Sequence, residues 1–396
     1  MHICYIAIDY HESDGGGGIA SYVNAVGREL VRQGHKVTII AGGKEYRTSV
    51  SDGIKLIRMP FGNVHWYSYK LGLPGGLVLP LREIEWSINL RRNLARLMRQ
   101  EKFDVIEACE AALLFLKRGP IKTVPLVVRL HGEQYVFAKY SGQPISPGVS
   151  LLHRMELRSL RTADALTAPS SFQAQEMTTE LRSNGIQVIP NPIDPWMLEQ
   201  ALTPQGQKAE DGHDTVLYTG RLQYSKGVLV LLEAVAGVVR EHAQAKFVIA
   251  GARHTSIDDA TLDRKLNVDD TGRFVSMAGH VPWRDLVEHY RAAKVFVMPS
   301  YYETGGISVI EAMAFGLPVV ATRAGGLSEV VEDGVTGILV PPGDSRALGE
   351  AIARLLRDPD LRRRMGEAGK TAVLKKFTVD GIVSRTLTVY ESVATN

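Results

Sequence analysis

At 396 residues the chain is longer than one hydrophobic core usually supports, so two domains of roughly 200 residues each are expected. Hydrophobic residues at 45% and charged residues at 22% place it among ordinary soluble globular chains, and a net charge of +3 is too small to call for a nucleic-acid partner. Two cysteines, Cys4 and Cys109, exclude a disulfide framework and a CxxC metal site; with no signal-peptide pattern and no apolar run near ~18 residues, they predict a cytoplasmic protein that does not span a membrane.

The first predicted element is a strand over 3–8, ICYIAI, apolar throughout as a strand covered on both faces must be. A helix over 19–34 follows, with Ile19, Val23, Val26, Leu30 and Val31 on one face and Gly34 placed to end it. Strands at 36–40 and 54–59, a basic helix at about 83–100, strands at 104–108, 125–130 and 163–170, and a helix after Ser171 complete the first half. Residues 190–214 are rich in Pro, Gly and charge and read as a linker. A second alternation then places strands at 215–220, 246–251, 275–279, 294–300 and 318–322 with helices between them. Strands and helices taking turns predict two doubly wound α/β domains, in which ligands collect at the carboxyl ends of the strands.

Those ends carry the informative residues. Residues 15–20 fit G-x-G-x-x-A, but six residues separate them from the first strand, and the second strand ends in no acid, so a dinucleotide fingerprint is not met. The glycines still allow close backbone approach to a phosphate or sugar at a helix start; a flexible turn is the other reading. In YTGRLQYSKG (218–227), Arg221 and Lys226 bracket a strand-to-helix loop without Walker spacing, which suits either a diphosphate or a solvated surface turn. In YYETGGISVIEAMAFG (301–316), Glu303 precedes a Gly-Gly pair and a helix beginning near Ile307 or Ser308, and Glu311 lies about one turn inside it. That arrangement offers amides to an anion and a carboxylate to neutral hydroxyls, although Ser308 and Glu311 also fit a plain capping box. His131 emerges after a strand, where it is either functional or a structural hydrogen bonder. With no HExxH and no clustered ligands, no metal ligand is assigned.

Taken together, GRLQYSKG, the E-x7-E spacing of Glu303 and Glu311, EAMAFGLPVVATRAGGLSEVVEDGVTGILVPPGD, PNPID and HGE resemble the family-four retaining glycosyltransferases, over essentially the whole chain. The resemblance implies a GT-B fold: two tandem Rossmann-like domains facing each other across a cleft, at 1–195 for the acceptor and 196–378 for the nucleotide sugar. A C-terminal helix at 379–396 would cross back to the first domain. It implies transfer of a hexose-type sugar from a nucleoside diphosphate sugar, UDP ahead of GDP or ADP, to a small-molecule, glycan or lipid-linked hydroxyl. No cofactor and no metal would be required. The alternatives from neighbouring classes are a sugar-nucleotide epimerase of GT-B fold and a non-catalytic sugar-nucleotide-binding module.

Residue by residue, the resemblance makes Arg221 and Lys226 the clamps on the donor diphosphate, Glu311 the ligand of the ribose hydroxyls and Glu303 the acid facing the donor sugar. Gly305, Gly306 and Ile307 would offer backbone N–H groups to the phosphates or sugar, and the backbone near His280 and Val281 would meet the base. From the first domain, Gly16 and Gly17 would approach the diphosphate and His131 the transferred sugar. Many members carry a Phe-Gly pair where this chain has Gly305-Gly306, so its sugar pocket is expected to be shaped differently. The long aromatic, Gly/Pro-broken stretch 61–81 and the basic helix after it leave two readings open: a membrane-surface or lipid-acceptor contact, or an acceptor-pocket loop beside a solvated basic face.

Overall fold

The computed structural model of the protein describes every residue except 9, 11–16, 61–74, 111–115, 117–118, 133, 143, 183–184, 205–213 and 396. The chain divides into two compact units, Met1–Pro192 with Val379–Asn396, and Ile193–Thr378.

Among the described residues the first unit holds eight strands: β1 (His2–Ile6), β2 (Lys36–Gly43), β3 (Arg47–Ser51), β4 (Ile54–Pro60), β5 (Val105–Cys109), β6 (Leu126–Arg129), β7 (Ala165–Ala168) and β8 (Gln187–Val188). Their order is β3-β4-β2-β1-β5-β6-β7-β8, parallel apart from β3, which runs antiparallel to β4. The period of two along β1 builds the layers. Cys4 and Ile6 face one cluster with Trp86, Leu90 and Leu94, while Ile3 and Tyr5 face another with Val23, Val26 and Leu30. Each such side chain contributes about 2 kcal/mol by leaving water.

The described residues of the second unit form six parallel strands, β9 (Asp214–Thr219), β10 (Ala245–Ala250), β11 (Val275–Gly279), β12 (Val295–Met298), β13 (Val319–Thr322) and β14 (Gly337–Val340), in the order β11-β10-β9-β12-β13-β14. Val216 and Tyr218 of β9 pack with Leu231, Val235 and Ile352 on one side; Leu217 packs with Val309, Ile310 and Met313 on the other. Both units are doubly wound, as the alternation in the sequence predicts.

Two local readings are corrected, and one strand carried no sequence signal. The helix expected from about 83 begins at Gly75 and runs to Leu97, with Pro80 inside its second turn. The rest of the stretch at 61–81, residues 61–74, lies outside the described residues. Residues 195–202 of the expected linker form a helix, because Asp194 accepts the Trp196 N–H at 2.8 Å and Pro195 needs no partner at the first position. β3 has no apolar signal because it is an exposed edge strand.

The last helix, Val379–Ala394, belongs to the first unit. Ile382, Val383 and Val389 join the cluster of Ile3 and Tyr5. The Tyr390 hydroxyl donates to Glu107 Oε2 at 2.8 Å and lies 2.9 Å from that of Tyr5. Burial pushes the Glu107 carboxyl up, opposed by the Arg129 charge and the bonds from Tyr390 and Tyr22. A buried acid held this way fixes the helix at one register along β5.

Candidate functional site

In the second unit the strand order reverses at β9, which has β10 on one side and β12 on the other. The ligand crevice of such a sheet opens beyond the carboxyl ends at that switch point. The loops that leave β9 and β12 carry Arg221, Lys226 and Glu303. They are bound to each other: the Tyr301 N–H donates to the Ser225 carbonyl at 2.8 Å, and the Tyr224 and Tyr301 rings stack with centroids 5.4 Å apart. Lys226 Nζ therefore meets Glu303 Oε2 at 2.5 Å across 77 positions of sequence. Arg221 is exposed and shares with Lys226 the loop that follows β9.

Gly227 makes this junction possible. Its φ is +69°, and a Cβ there would stand 1.9 Å from the Pro299 carbonyl oxygen, a backbone atom that cannot swing away. Gly227→Ala is expected to lower the melting temperature by several degrees and to abolish activity, because the Lys226 loop must separate from the end of β12. A variant with wild-type melting and turnover, in differential scanning calorimetry and a transfer assay, contradicts this.

The helix Ile307–Ala314 starts from Gly306, a left-handed N-cap without a side-chain bond, so its first amides have no intrahelical partner. Gly305 and Gly306 are buried and Ile307 partly so. Gly326 N–H donates to the Glu303 carbonyl at 2.7 Å, holding that residue at the helix entrance. The capping box is not formed, since the cap is Gly306 and not Ser308. Glu311 is instead 5% exposed and accepts from Trp283 Nε1 at 2.9 Å through Oε1 and from the Tyr290 hydroxyl at 2.8 Å through Oε2. Burial raises its pKa to about 7, against the lowering effect of these two bonds. His280 and Val281 follow β11, the edge strand two places from β9, with His280 exposed.

In the first unit the order reverses at β1, between β2 and β5. His131 follows β6, and its backbone N–H donates to both oxygens of Glu110, the buried residue after β5, at 2.9 and 3.0 Å. The Tyr22 ring meets the imidazole edge at 5.6 Å and carries the Arg129 guanidinium on its face at 3.9 Å. Burial, and then the Arg129 charge, hold His131 well below the ordinary imidazole range, so it is neutral at pH 7. Gly17, with φ +84°, opens the helix Gly17–Arg32; Gly16 lies outside the described residues.

Of the residues singled out in the sequence, the fold joins Lys226 to Glu303 and places Gly305, Gly306, Ile307 and Glu311 on the same loop and helix. Arg221 shares the Lys226 loop, His280 and Val281 share the second unit, and Gly17 and His131 belong to the first. Sequence reasoning missed Trp283, Tyr290, Tyr22, Arg129 and Glu110. Glu107 and Arg129 had a signal, as charges inside otherwise apolar strands; Trp283 and Tyr290 had none. Among the described residues, no group of three or more His, Cys, Asp or Glu side chains could hold a metal ion, and no helix is long and apolar enough to cross a membrane.

Two doubly wound units in tandem, each with its switch point at the carboxyl ends of its strands, are the architecture of the GT-B fold. Residues 16–196 match Glycosyltransferase Family 4, and residues 200–372 match Glycosyl transferases group 1. The alpha-maltose-1-phosphate synthase of Mycolicibacterium smegmatis is 32% identical over 67% of this chain and 74% of its own. Sucrose-phosphate synthase of Thermosynechococcus elongatus superimposes with a TM-score of 0.79 at 22% identity, over 98% of each chain. The Anabaena protein HepE, solved with UDP and glucose, gives a TM-score of 0.71 at 19% identity, over 99% of this chain and 100% of that one. The chain belongs to glycosyltransferase family 4 and has the GT-B fold.

Proposed function

We propose that the protein transfers a hexose-type sugar from a nucleoside diphosphate sugar, UDP ahead of GDP or ADP, to a hydroxyl acceptor, with retention of configuration and without a metal ion. The observation that carries this reading is the Lys226–Glu303 pair at the entrance of the helix Ile307–Ala314, on the loop that also carries Arg221, where a diphosphate and its sugar would find a cation, amides and an acid together. The UDP and glucose in the HepE complex favour UDP. As the bond from the anomeric carbon to the diphosphate oxygen breaks, negative charge collects on the leaving group, and Arg221, Lys226 and the helix amides stabilise it. The acceptor oxygen bonds to the anomeric carbon on the same face, and its proton passes to a phosphate oxygen. Glu303 faces the sugar, Glu311 holds the ribose hydroxyls, and His280 and Val281 present backbone to the base. In the first unit the neutral His131 is suited to exchange hydrogen bonds with a sugar hydroxyl, and Gly16 and Gly17 with the diphosphate. The family relatives are transferases, which favours transfer over epimerisation or mere binding.

The test is product analysis with labelled UDP-, GDP- and ADP-sugars, after a thermal-shift screen for the donor that raises the melting temperature. A glycoside retaining the donor's anomeric configuration is the expected product; an epimerised sugar nucleotide, or an inverted glycoside, overturns the reading. EDTA is expected to leave the rate largely intact, because the cations and helix amides serve where a metal would. Loss of activity with chelator, restored by added Mn²⁺ or Mg²⁺, contradicts metal independence.

A further inference from the structure

We infer that Trp283 is a positioning residue: its indole N–H orients the Glu311 carboxylate and thereby couples the segment after β11 that carries His280 and Val281 to recognition of the ribose. The inference rests on the reading of Glu311 as the ribose ligand.

The geometry is specific. Each Glu311 oxygen has its own donor, Trp283 at 2.9 Å and Tyr290 at 2.8 Å, so the carboxylate cannot rotate without breaking one bond. Each oxygen keeps a further lone-pair direction, which is what two neighbouring hydroxyls require. The two donors differ in what holds them. Tyr290 is fully buried, its hydroxyl also lies 3.2 Å from Thr219 Oγ1, and its ring stacks on Phe315 at 5.2 Å; it belongs to the framework of the core. Trp283 is only half-buried and begins the short turn Trp283–Asp285, two positions beyond Val281. Its ring rests on Trp196 at 5.2 Å, on the helix that Asp194 caps. Asp194 is also the charged group whose field reaches Glu311, raising its pKa, whereas the Trp283 bond lowers it. A base held at His280 and Val281 therefore sits on the same short segment as the donor that aims the ribose acid.

The test uses Trp283→Phe, with Trp283→Leu beside it; neither side chain can donate a hydrogen bond. Calorimetric titration compares UDP and GDP with their 2′,3′-dideoxy counterparts, on wild type, both Trp283 variants and Glu311→Ala, with melting curves alongside. Wild type is expected to prefer the ribonucleotide. Glu311→Ala is expected to abolish the preference, and both Trp283 variants to reduce it about tenfold while melting cooperatively, the loss of one hydrogen bond to a charged group. In the Trp283 variants the pH midpoint of nucleotide affinity is expected to move upward, since a bond that favours the ionised acid is gone. A preference lost in Glu311→Ala but unchanged in the Trp283 variants overturns the positioning role and leaves the ribose reading standing. A preference absent in wild type, or unchanged in Glu311→Ala, overturns the ribose reading and the inference with it.

Discussion

Lys226→Ala is expected to lower kcat by about 10²–10³-fold, the usual effect of removing one group that stabilises transition-state charge. The same change leaves the Glu303 side chain, 12% exposed, without the ammonium 2.5 Å away. Because both partners keep some water contact, the expected stability loss is about 2 kcal/mol, below that of a fully dry pair. A loss of turnover could then reflect a loosened fold. Glu303→Gln and the double variant Lys226→Ala/Glu303→Gln separate the two effects: with no charge left to strand, the two are expected to melt alike, while the double variant turns over more slowly than Glu303→Gln by the share that Lys226 contributes. A double variant that turns over as fast as Glu303→Gln, or near-normal kcat in folded Lys226→Ala, in steady-state assays with a saturating donor, rejects the diphosphate-clamp assignment.

Glu311→Gln is expected to stabilise the protein at pH 8 and to weaken nucleotide binding. The folded-state pKa of about 7 stands above the ordinary 4.5, so between those values the folded protein binds the proton that the unfolded chain releases. Stability is therefore full below about pH 4.5, falls as pH rises to about 7 and is level above it; ionising the buried acid costs the fold about 3 kcal/mol. Glutamine carries no charge, so the variant should gain most of that amount at pH 8 and almost none at pH 4.5. Binding runs the other way, because the carboxylate is the better acceptor for ribose hydroxyls. Nucleotide affinity of the wild type should rise through about pH 7, and the variant should lack both this rise and the affinity it brings. Melting curves at the two pH values, with UDP and GDP titrations across the range, check the result. A variant that melts like wild type at pH 8 and binds nucleotide equally well rejects the assignment.

By itself the sequence determined the alternation. Apolar runs such as ICYIAI, VVAT and KVFVM are legible as strands because parallel strands are covered on both faces, and the period-3.6 pattern of residues 19–34 is legible as a helix. It also placed Arg221, Lys226 and Glu303 in loops that leave strands and Glu311 one turn into the helix that follows, since that placement follows from local order alone. Only the tertiary structure decided what those residues touch. Lys226 and Glu303 meet because Gly227 lets one loop close on the backbone of Pro299, a steric fact that depends on two distant segments. Glu311 fits a capping box in the sequence, yet in the fold its partners are Trp283 and Tyr290, because the left-handed Gly306 starts the helix two residues before Ser308 and the acid turns inward. The titration of Glu311 and His131 was likewise beyond the sequence, since burial and neighbouring charge set it and both exist only after the chain has packed.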